Sequence, residues 1–501
     1  MLLNKLLLDV EIINKVGNLD IEITNIHSDS RKIKEGGLFI AIDGFTNNGI
    51  DFIQNAIENG AKALIVEPDI DVNSIKVPKN IPIISVKNTR KALAQTACEF
   101  FENPSKKLKL IGVTGTKGKT TTTFMIKSIL QTHNLKVGLI GSIAVYINNE
   151  KIEDTDRTTP ESIDIQKYLD YMVKQNVDVA IIEVSSQAMK LERVTGCDFD
   201  IALFTNLTED HISPKEHPNM EDYFNCKLNL IKNAKYGVIN NDDPLVSEIK
   251  KILPSKEIRT FAIDNSADFK ANSKTAKITD SLIEFSIILN ENEEIITASI
   301  PGRFSIYNAL GAISVASYFN VTADEIRLAL KDLKVLGRSE LVPNKLGLTI
   351  MIDYAHTPSS LESILNAVNT YAKGKVICAW GVGGDRDAAK RPIMGEISGR
   401  LADFTILMSD QVRTEDPLKI LKEIELGIIP TGKPYKIIVD RTEGIRYAIS
   451  IAEPGDIIVI PGLGHDLYLE KNGIKYPYNE REVITQLIDE MIDSGEKQIV
   501  N

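Results

Sequence analysis

Six consecutive residues, Gly115-Thr116-Lys117-Gly118-Lys119-Thr120, bring together two glycines, two lysines and two threonines. Glycines let a backbone approach a ligand with its N–H groups turned inward, lysine adds charge, and a threonine hydroxyl offers oxygen to Mg²⁺. That combination suits phosphate, with Lys119 reaching terminal phosphates and Thr120 facing the ion. The generic G-x-x-x-x-G-K-[ST] pattern is met only in part, because its first glycine falls on Val113. The flanks supply context. Residues 108–113 form an apolar run that predicts a buried strand, and Phe124, Met125, Ile129 and Leu130 fall at helical spacing. A helix starting at such a loop adds positive potential at its N-terminus.

Other oxygen and nitrogen donors follow strand-like runs. Residues 179–184 read as a buried strand that carries Glu183 to its end and continues into Ser185-Ser186. In open α/β sheets ligands gather at such C-terminal strand ends, and a carboxylate there suits a hard ion such as Mg²⁺. Residues 202–207 form another strand, leading into Asp210-His211. Thr158 and Thr159 offer hydroxyls to a phosphate or carboxylate, or a helix cap. Asp29-Ser30-Arg31 reads as a turn or cap. Lys227, taken alone, is a helix-surface lysine.

The elements that must position these groups describe an α/β protein. At 501 residues the chain is too long for one core, and about three domains are expected. Composition shifts and turn residues place them at 1–106, 107–336 and 337–501. The first is a small α/β unit, the second an ATPase-like unit with a mostly parallel sheet, and the third a Rossmann-like alternation with strands near 348–352, 375–380, 404–408 and 456–460. Residues 255–300 read as an antiparallel flap, and 51–60 as a helix. Gly381-Val382-Gly383-Gly384 lacks the third glycine and the ribose carboxylate of a dinucleotide loop. Net charge is −11, which argues against a nucleic-acid partner. No apolar run approaches the ~20 residues of a membrane span. Asp9 and Glu11 interrupt the apolar N-terminus, so no signal peptide is expected. Four scattered cysteines give no disulfide framework and fit a reducing cytoplasm.

G-T-K-G-K-T-T resembles the ATP loop of the Mur ligases, which add amino acids to the bacterial peptidoglycan precursor, and later motifs resemble the branch that adds the third residue. The resemblance covers nearly the whole chain. It implies an ATP- and Mg²⁺-dependent ligase that phosphorylates the terminal carboxylate of UDP-N-acetylmuramoyl-L-alanyl-D-glutamate and lets the amine of a diamino acid attack the acyl phosphate. By resemblance, Gly115 to Thr121 bind ATP together with Asn308, the Arg338 of G-R-x-E, Asp353 and His356. Glu183 and His211 are metal ligands with Thr120, and Lys227 takes up CO₂ to become a carbamate ligand. Lys119, Glu183, His211 and Lys227 carry catalysis. Ser28, Ser30, Thr46, Thr158, Thr159, Ser185 and Arg193 hold the precursor, although Arg157 and Leu191 replace the family's Asn and Gln nearby.

For the incoming amino acid the resemblance assigns Arg391 of Lys390-Arg391-Pro392, with Asp410, Arg413, Gly462 and Asp466. Where meso-diaminopimelate enzymes usually have D-N-P-R, this chain has Asp410-Gln411-Val412-Arg413. The G-x-G-H-E motif ends here in Asp466. The retained Arg413 favours meso-diaminopimelate over L-lysine or L-ornithine, because a guanidinium fork suits a distal carboxylate. A cytoplasmic monomer is expected. The competing readings are a ligase resembling folylpolyglutamate synthetase and a paralogue that binds nucleotide and precursor without turnover.

Overall fold

A computed structural model describes residues 1–44, 47–68, 77–209, 212–213 and 216–500. The chain divides into two compact units, Met1–Phe261 with Ser314–Val321, and Ala262–Ile313 with Thr322–Asn501.

Two sheets build the first unit. The N-terminal one has the strand order Ile12–Val16, Ile83–Val86, Ala61–Val66, Gly37–Ile40, Asn25–His27, with only Ile12–Val16 antiparallel. Its strands alternate in the way a two-faced sheet requires. Leu38, Ile40, Ala63 and Ile65 pack into one core, while Phe39 and Leu64 pack into another on the opposite face. Each large aliphatic side chain fully buried in this way contributes roughly 1.5–3 kcal/mol. The predicted helix over 51–60 is shorter. It opens as a 3₁₀ turn, Gly49–Phe52, and becomes α only at Ile53–Glu58.

In the second sheet the strand Lys109–Thr114 lies between Val179–Glu183 and Ile201–Phe204, parallel to both. Val137–Ile140 extends one side and Tyr236–Asn240 the other, again in parallel. The register sets Glu183 beside Val113 and Phe204 beside Thr114. Three C-terminal strand ends therefore open at one level. The helix Lys119–Thr132 begins there and buries Met125, Ile126, Ile129 and Leu130. Its first turns contain four consecutive threonines, poor helix formers, so packing on the sheet rather than local preference holds it. The strand Ile258–Ala262 pairs in parallel with Tyr236–Asn240. It belongs to this sheet, and the expected antiparallel flap begins only afterwards.

The second unit contains that flap, the antiparallel strands Phe269–Ile278, Ile283–Leu289 and Asn292–Ala298. It also contains a six-stranded sheet in the order Glu340–Leu341, Thr349–Asp353, Ile457–Pro461, Val376–Trp380, Phe404–Leu407, Tyr435–Ile437. All but the first strand run parallel. Met351, Cys378, Trp380 and Val459 fill one face, and Ile350, Ile352, Ile377, Ile458 and Ile460 fill the other. Such doubly buried strands read as continuous apolar runs, which is why all four interior ones were legible. A hairpin, Tyr468–Lys471 with Ile474–Pro477, was not foreseen. Its turn, Asn472-Gly473, has φ of 52° and 76°, the left-handed pair that an Asn-Gly turn favours. No helix among the described residues is long and apolar enough to cross a membrane.

Candidate functional site

The phosphate loop runs from Gly115 to Gly118, between the strand Lys109–Thr114 and the helix that starts at Lys119. Gly115 has φ of +145°, and a Cβ there would lie 1.8 Å from Thr205 Oγ1, so no other residue fits. The next strand end holds the loop from beneath. The Thr116 amide donates to the Asn206 carbonyl (2.9 Å), the Lys117 amide to Asn206 Oδ1 (3.0 Å), and Thr205 Oγ1 to the Lys117 carbonyl (2.7 Å). Lys119 Nζ folds back onto the carbonyls of Gly115 (2.9 Å) and Thr116 (3.0 Å).

Glu183 stands at the neighbouring strand end and is 0% exposed. A buried carboxylate needs donors, and three are present. Thr120 Oγ1 donates at 3.0 Å, the Ser142 amide at 3.2 Å and Ser142 Oγ at 2.9 Å. A Cβ at position 141 would fall 2.3 Å from Glu183 Oε1, so Gly141 makes the room. Thr159 lies behind the carboxylate. Its hydroxyl donates to the Glu183 carbonyl (2.8 Å) and accepts from the Ser185 amide (3.0 Å). Thr159 thus fastens its own loop to the end of the strand Val179–Glu183 and is not a helix cap. Ser142 Oγ, its hydrogen given to Glu183, also meets the Thr158 hydroxyl at 3.1 Å. Arg193 donates to the Thr159 carbonyl (3.1 Å) and pairs with Glu161 (2.9 Å).

Lys227 is not on a surface. It is 1% exposed, donates to the Gly115 carbonyl at 2.8 Å, and lies 4.4 Å above the Tyr223 ring. Taken alone, Lys227 reads as a helix-surface lysine, whereas the resemblance puts it in the site. The fold turns it inward onto the phosphate loop, and Tyr223 Oη meets Thr116 Oγ1 at 3.1 Å. Lys119, Thr120, Glu183 and Lys227 therefore converge. His211 and Thr46 lie outside the described residues. In the N-terminal sheet, Ser30 is buried at the start of a 3₁₀ turn capped by Asp29, with Ser28 two residues earlier. Arg31 closes onto Asp29 and holds that carboxyl at about 2, so this motif is a turn device as well as a candidate binding segment.

The second unit carries the other predicted residues. Asn308 is buried on the helix Arg303–Ala316. The Arg338 guanidinium lies 4.7 Å over the Tyr354 ring, which also meets the rings of His356 and His465. Asp353 accepts from the Ser339 amide at 2.7 Å, and burial raises its pKa. At the far strand ends, Arg413 adopts φ of +51°, a strained value for a non-glycine residue. The unforeseen hairpin clasps it. The Arg413 amide donates to the Glu470 carbonyl, and the Asn472 amide donates to the Arg413 carbonyl. Its guanidinium donates to the Gly384 carbonyl (2.6 Å) and lies 3.4 Å from both Gln411 Oε1 and Glu470. Gln411 Nε2 donates to Asp466 Oδ2 at 2.6 Å, and burial raises the Asp466 pKa. Gly462 leaves room for Asp410, whose Oδ2 a Cβ at 462 would approach to 2.4 Å.

Arg391 is held by protein carboxylates. It is 1% exposed, bonded twice to Glu415 (2.7 and 2.9 Å) and once to Glu423 (2.7 Å). In this structure its guanidinium anchors the 409–415 segment. Sequence reading passed over Arg386, which is exposed on the loop next to Gly384 and makes no hydrogen bond or ion pair among the described residues. The His217, Asp222 and Cys226 cluster has metal-ligand chemistry, but both His217 nitrogens already have protein partners, Asp222 Oδ2 at 2.7 Å and Ser186 Oγ at 2.9 Å.

Comparison with known proteins gives three matches along the chain. They are the Mur ligase family catalytic domain over residues 22–101, the Mur ligase middle domain over 113–316, and the Mur ligase glutamate ligase domain over 337–464. The UDP-N-acetylmuramoyl-L-alanyl-D-glutamate--2,6-diaminopimelate ligase of Clostridium botulinum is 43% identical over 473 residues, covering 94% of this chain and 96% of that protein. The enzyme of the same name from Clostridium tetani is 43% identical, covering 97% and 98%. A solved structure of a ligase of that name superposes with a TM-score of 0.69 at 26% identity, covering 98% and 99%. The chain belongs to the Mur ligase family of ATP-dependent amide ligases.

Proposed function

We propose that this chain is a MurE-type ligase that joins meso-diaminopimelate to UDP-N-acetylmuramoyl-L-alanyl-D-glutamate in peptidoglycan synthesis. One observation carries the ligase chemistry. The phosphate loop, the buried carboxylate Glu183 and the buried amine Lys227 meet at three adjacent strand ends. ATP phosphorylates the precursor's terminal carboxylate, the incoming amine attacks the acyl phosphate, and the tetrahedral adduct expels phosphate to leave an amide. Positioning and charge neutralisation drive such a transfer. The loop amides and Lys119 hold the nucleotide phosphates, and Ser28, Ser30, Thr46, Thr158, Thr159, Ser185 and Arg193 hold the precursor.

Thr120 and Glu183 form an all-oxygen donor pair that fits Mg²⁺, with His211 as the further ligand of the family pattern. When bound, the ion neutralises phosphate charge. Lys227 suits carbamylation for a structural reason. Its nitrogen keeps one N–H after taking up CO₂, so the bond to Gly115 survives while the charge reverses. By the family pattern, Asn308, Arg338, Asp353 and His356 are the further nucleotide contacts. Arg413 receives the distal carboxylate, with Arg386 as the exposed guanidinium of the adjoining loop.

The Gln411–Asp466 bond supports the amino-acid assignment. Relative to the usual Asn and Glu, Gln411 is one methylene longer and Asp466 one shorter, so the span between them is unchanged. The three-domain division at 106 and 336, a cytoplasmic location and a monomeric state complete the proposal. The described cysteines are all unpaired thiols, which suits a reducing compartment. The test is ADP release by the purified chain. It should require UDP-N-acetylmuramoyl-L-alanyl-D-glutamate, Mg²⁺ and meso-diaminopimelate together. Nucleotide binding without turnover under all conditions would overturn the proposal in favour of a non-catalytic paralogue.

A further inference from the structure

His217 is 1% exposed, and its ring links elements that carry different parts of the site. Nδ1 meets Asp222 Oδ2 at 2.7 Å, and Nε2 meets Ser186 Oγ at 2.9 Å. A carboxylate accepts only, so Nδ1 carries the hydrogen, and Nε2 shares a hydrogen bond with the serine hydroxyl. Hydroxyl, imidazole and carboxylate stand in the order of a hydrolytic relay, but Ser186 is 5% exposed and beyond the reach of a substrate. The chain of bonds holds its members in place and does not react.

What it joins decides its use. Ser186 lies three residues after Glu183 and opens the helix Ser186–Lys190. Asp222 lies in the first turn of the helix Met220–Asn233, five residues before Lys227. Lys190 reinforces the link by reaching Asp222 Oδ2 (2.9 Å) and the Glu216 carbonyl (2.9 Å). The imidazole also packs against Tyr223, with ring centroids 5.0 Å apart. Tyr223 is the residue that meets Thr116 of the phosphate loop and lies under the Lys227 amine. One buried ring therefore fixes the lateral position of the helix that delivers both groups.

We propose that His217 is a positioning residue for the ligase reaction, setting the height and orientation of Lys227 and Tyr223 against the phosphate loop through its bonds to Ser186 and Asp222. The proposal rests on the ligase reading of Lys227. Misplacement by about 1 Å can lower turnover roughly 100-fold. The expected signature is a fall in kcat with little change in the KM for ATP or precursor.

The experiment measures ADP release by full-length His217→Leu, His217→Asn, Ser186→Ala and Asp222→Asn chains, with Lys227→Ala alongside and ADP affinity measured for each. His217→Leu should lower kcat roughly 30- to 100-fold with both KM values within about threefold. His217→Asn, which keeps an N–H for Asp222, should recover a substantial part of the loss. Ser186→Ala combined with Asp222→Asn should be no worse than His217→Leu, because groups acting as one unit are not additive. Should His217→Leu fail to fold, the Ser186→Ala chain carries the test through its own kcat loss. Unchanged kcat in variants whose thermal stability alone has dropped would overturn the proposal. Full activity in Lys227→Ala would instead remove the reading of Lys227 on which it rests.

Discussion

The phosphate loop and the 409–415 segment are held in place by opposite means. Around the loop the chain uses short side chains and backbone. Thr120, Ser142 and Thr159 bond to the strand end at Glu183, and Thr205, just past another strand, bonds to the loop itself. Around 409–415 it uses long side chains, with Arg391, Arg413, Gln411 and Glu415 reaching across loops. Short contacts on rigid strands leave no room for substitution. Long contacts allow one partner to lengthen while the other shortens. The loop accordingly keeps the Gly118-Lys119-Thr120 of the generic phosphate pattern, whereas 410–413 reads Asp-Gln-Val-Arg in place of D-N-P-R.

That contrast orders the expected effects. Glu183→Gln should be the most severe. It removes an oxygen charge at a buried site and should lower kcat roughly 10²- to 10³-fold, read as ADP release at saturating substrates. Lys119→Ala should fall in the same range. Arg413→Ala should cost roughly 100-fold in kcat/KM for meso-diaminopimelate, the loss expected when one partner of a partly buried charge pair is removed. The KM for ATP should hold.

Gln411→Asn and Asp466→Glu should each cost about tenfold in kcat/KM for the amino acid, because each spoils the span between them. The double variant should recover most of the activity, since it restores the combined length. Additive losses would show that the two side chains are not coupled. The smallest effect concerns stability. The Arg391 guanidinium holds the Glu415 carboxyl down at about 2. Its folded pKa lies below the unfolded value of about 4.3, so the pair stabilises the fold above that value and is lost as pH falls toward 2. Glu415→Gln should destabilise by roughly 1–3 kcal/mol at neutral pH. The gap from the parent in thermal unfolding should narrow steadily below about pH 4.

Much of the fold was legible because buried parallel strands announce themselves. Val179-Ala180-Ile181-Ile182 and Ile457-Ile458-Val459-Ile460 have no polar face to confuse the pattern. The flap boundary was misplaced because Ile258–Ala262 is too short to show whether its partner runs parallel or antiparallel. At the site, Lys119, Thr120 and Glu183 could be placed by spacing alone, because a loop between strand and helix has one geometry. Lys227 could not. A lysine on a helix shows its direction only when the helix is docked, and docking here depends on contacts such as His217 with Ser186 that are remote in sequence. The ion pairs of Arg391 were hidden for the same reason, since its carboxylate partners lie 24 and 32 residues away.

Arg413 is the residue proposed to read the distal carboxylate of a dicarboxylic diamino acid. The most direct test is ADP release with ATP, Mg²⁺ and UDP-N-acetylmuramoyl-L-alanyl-D-glutamate against meso- and LL-diaminopimelate, lanthionine, L-lysine and L-ornithine, for the parent chain and for Arg413→Ala. Turnover with meso-diaminopimelate that collapses in Arg413→Ala is the predicted result. Turnover with L-lysine or L-ornithine alone, indifferent to Arg413, would contradict it.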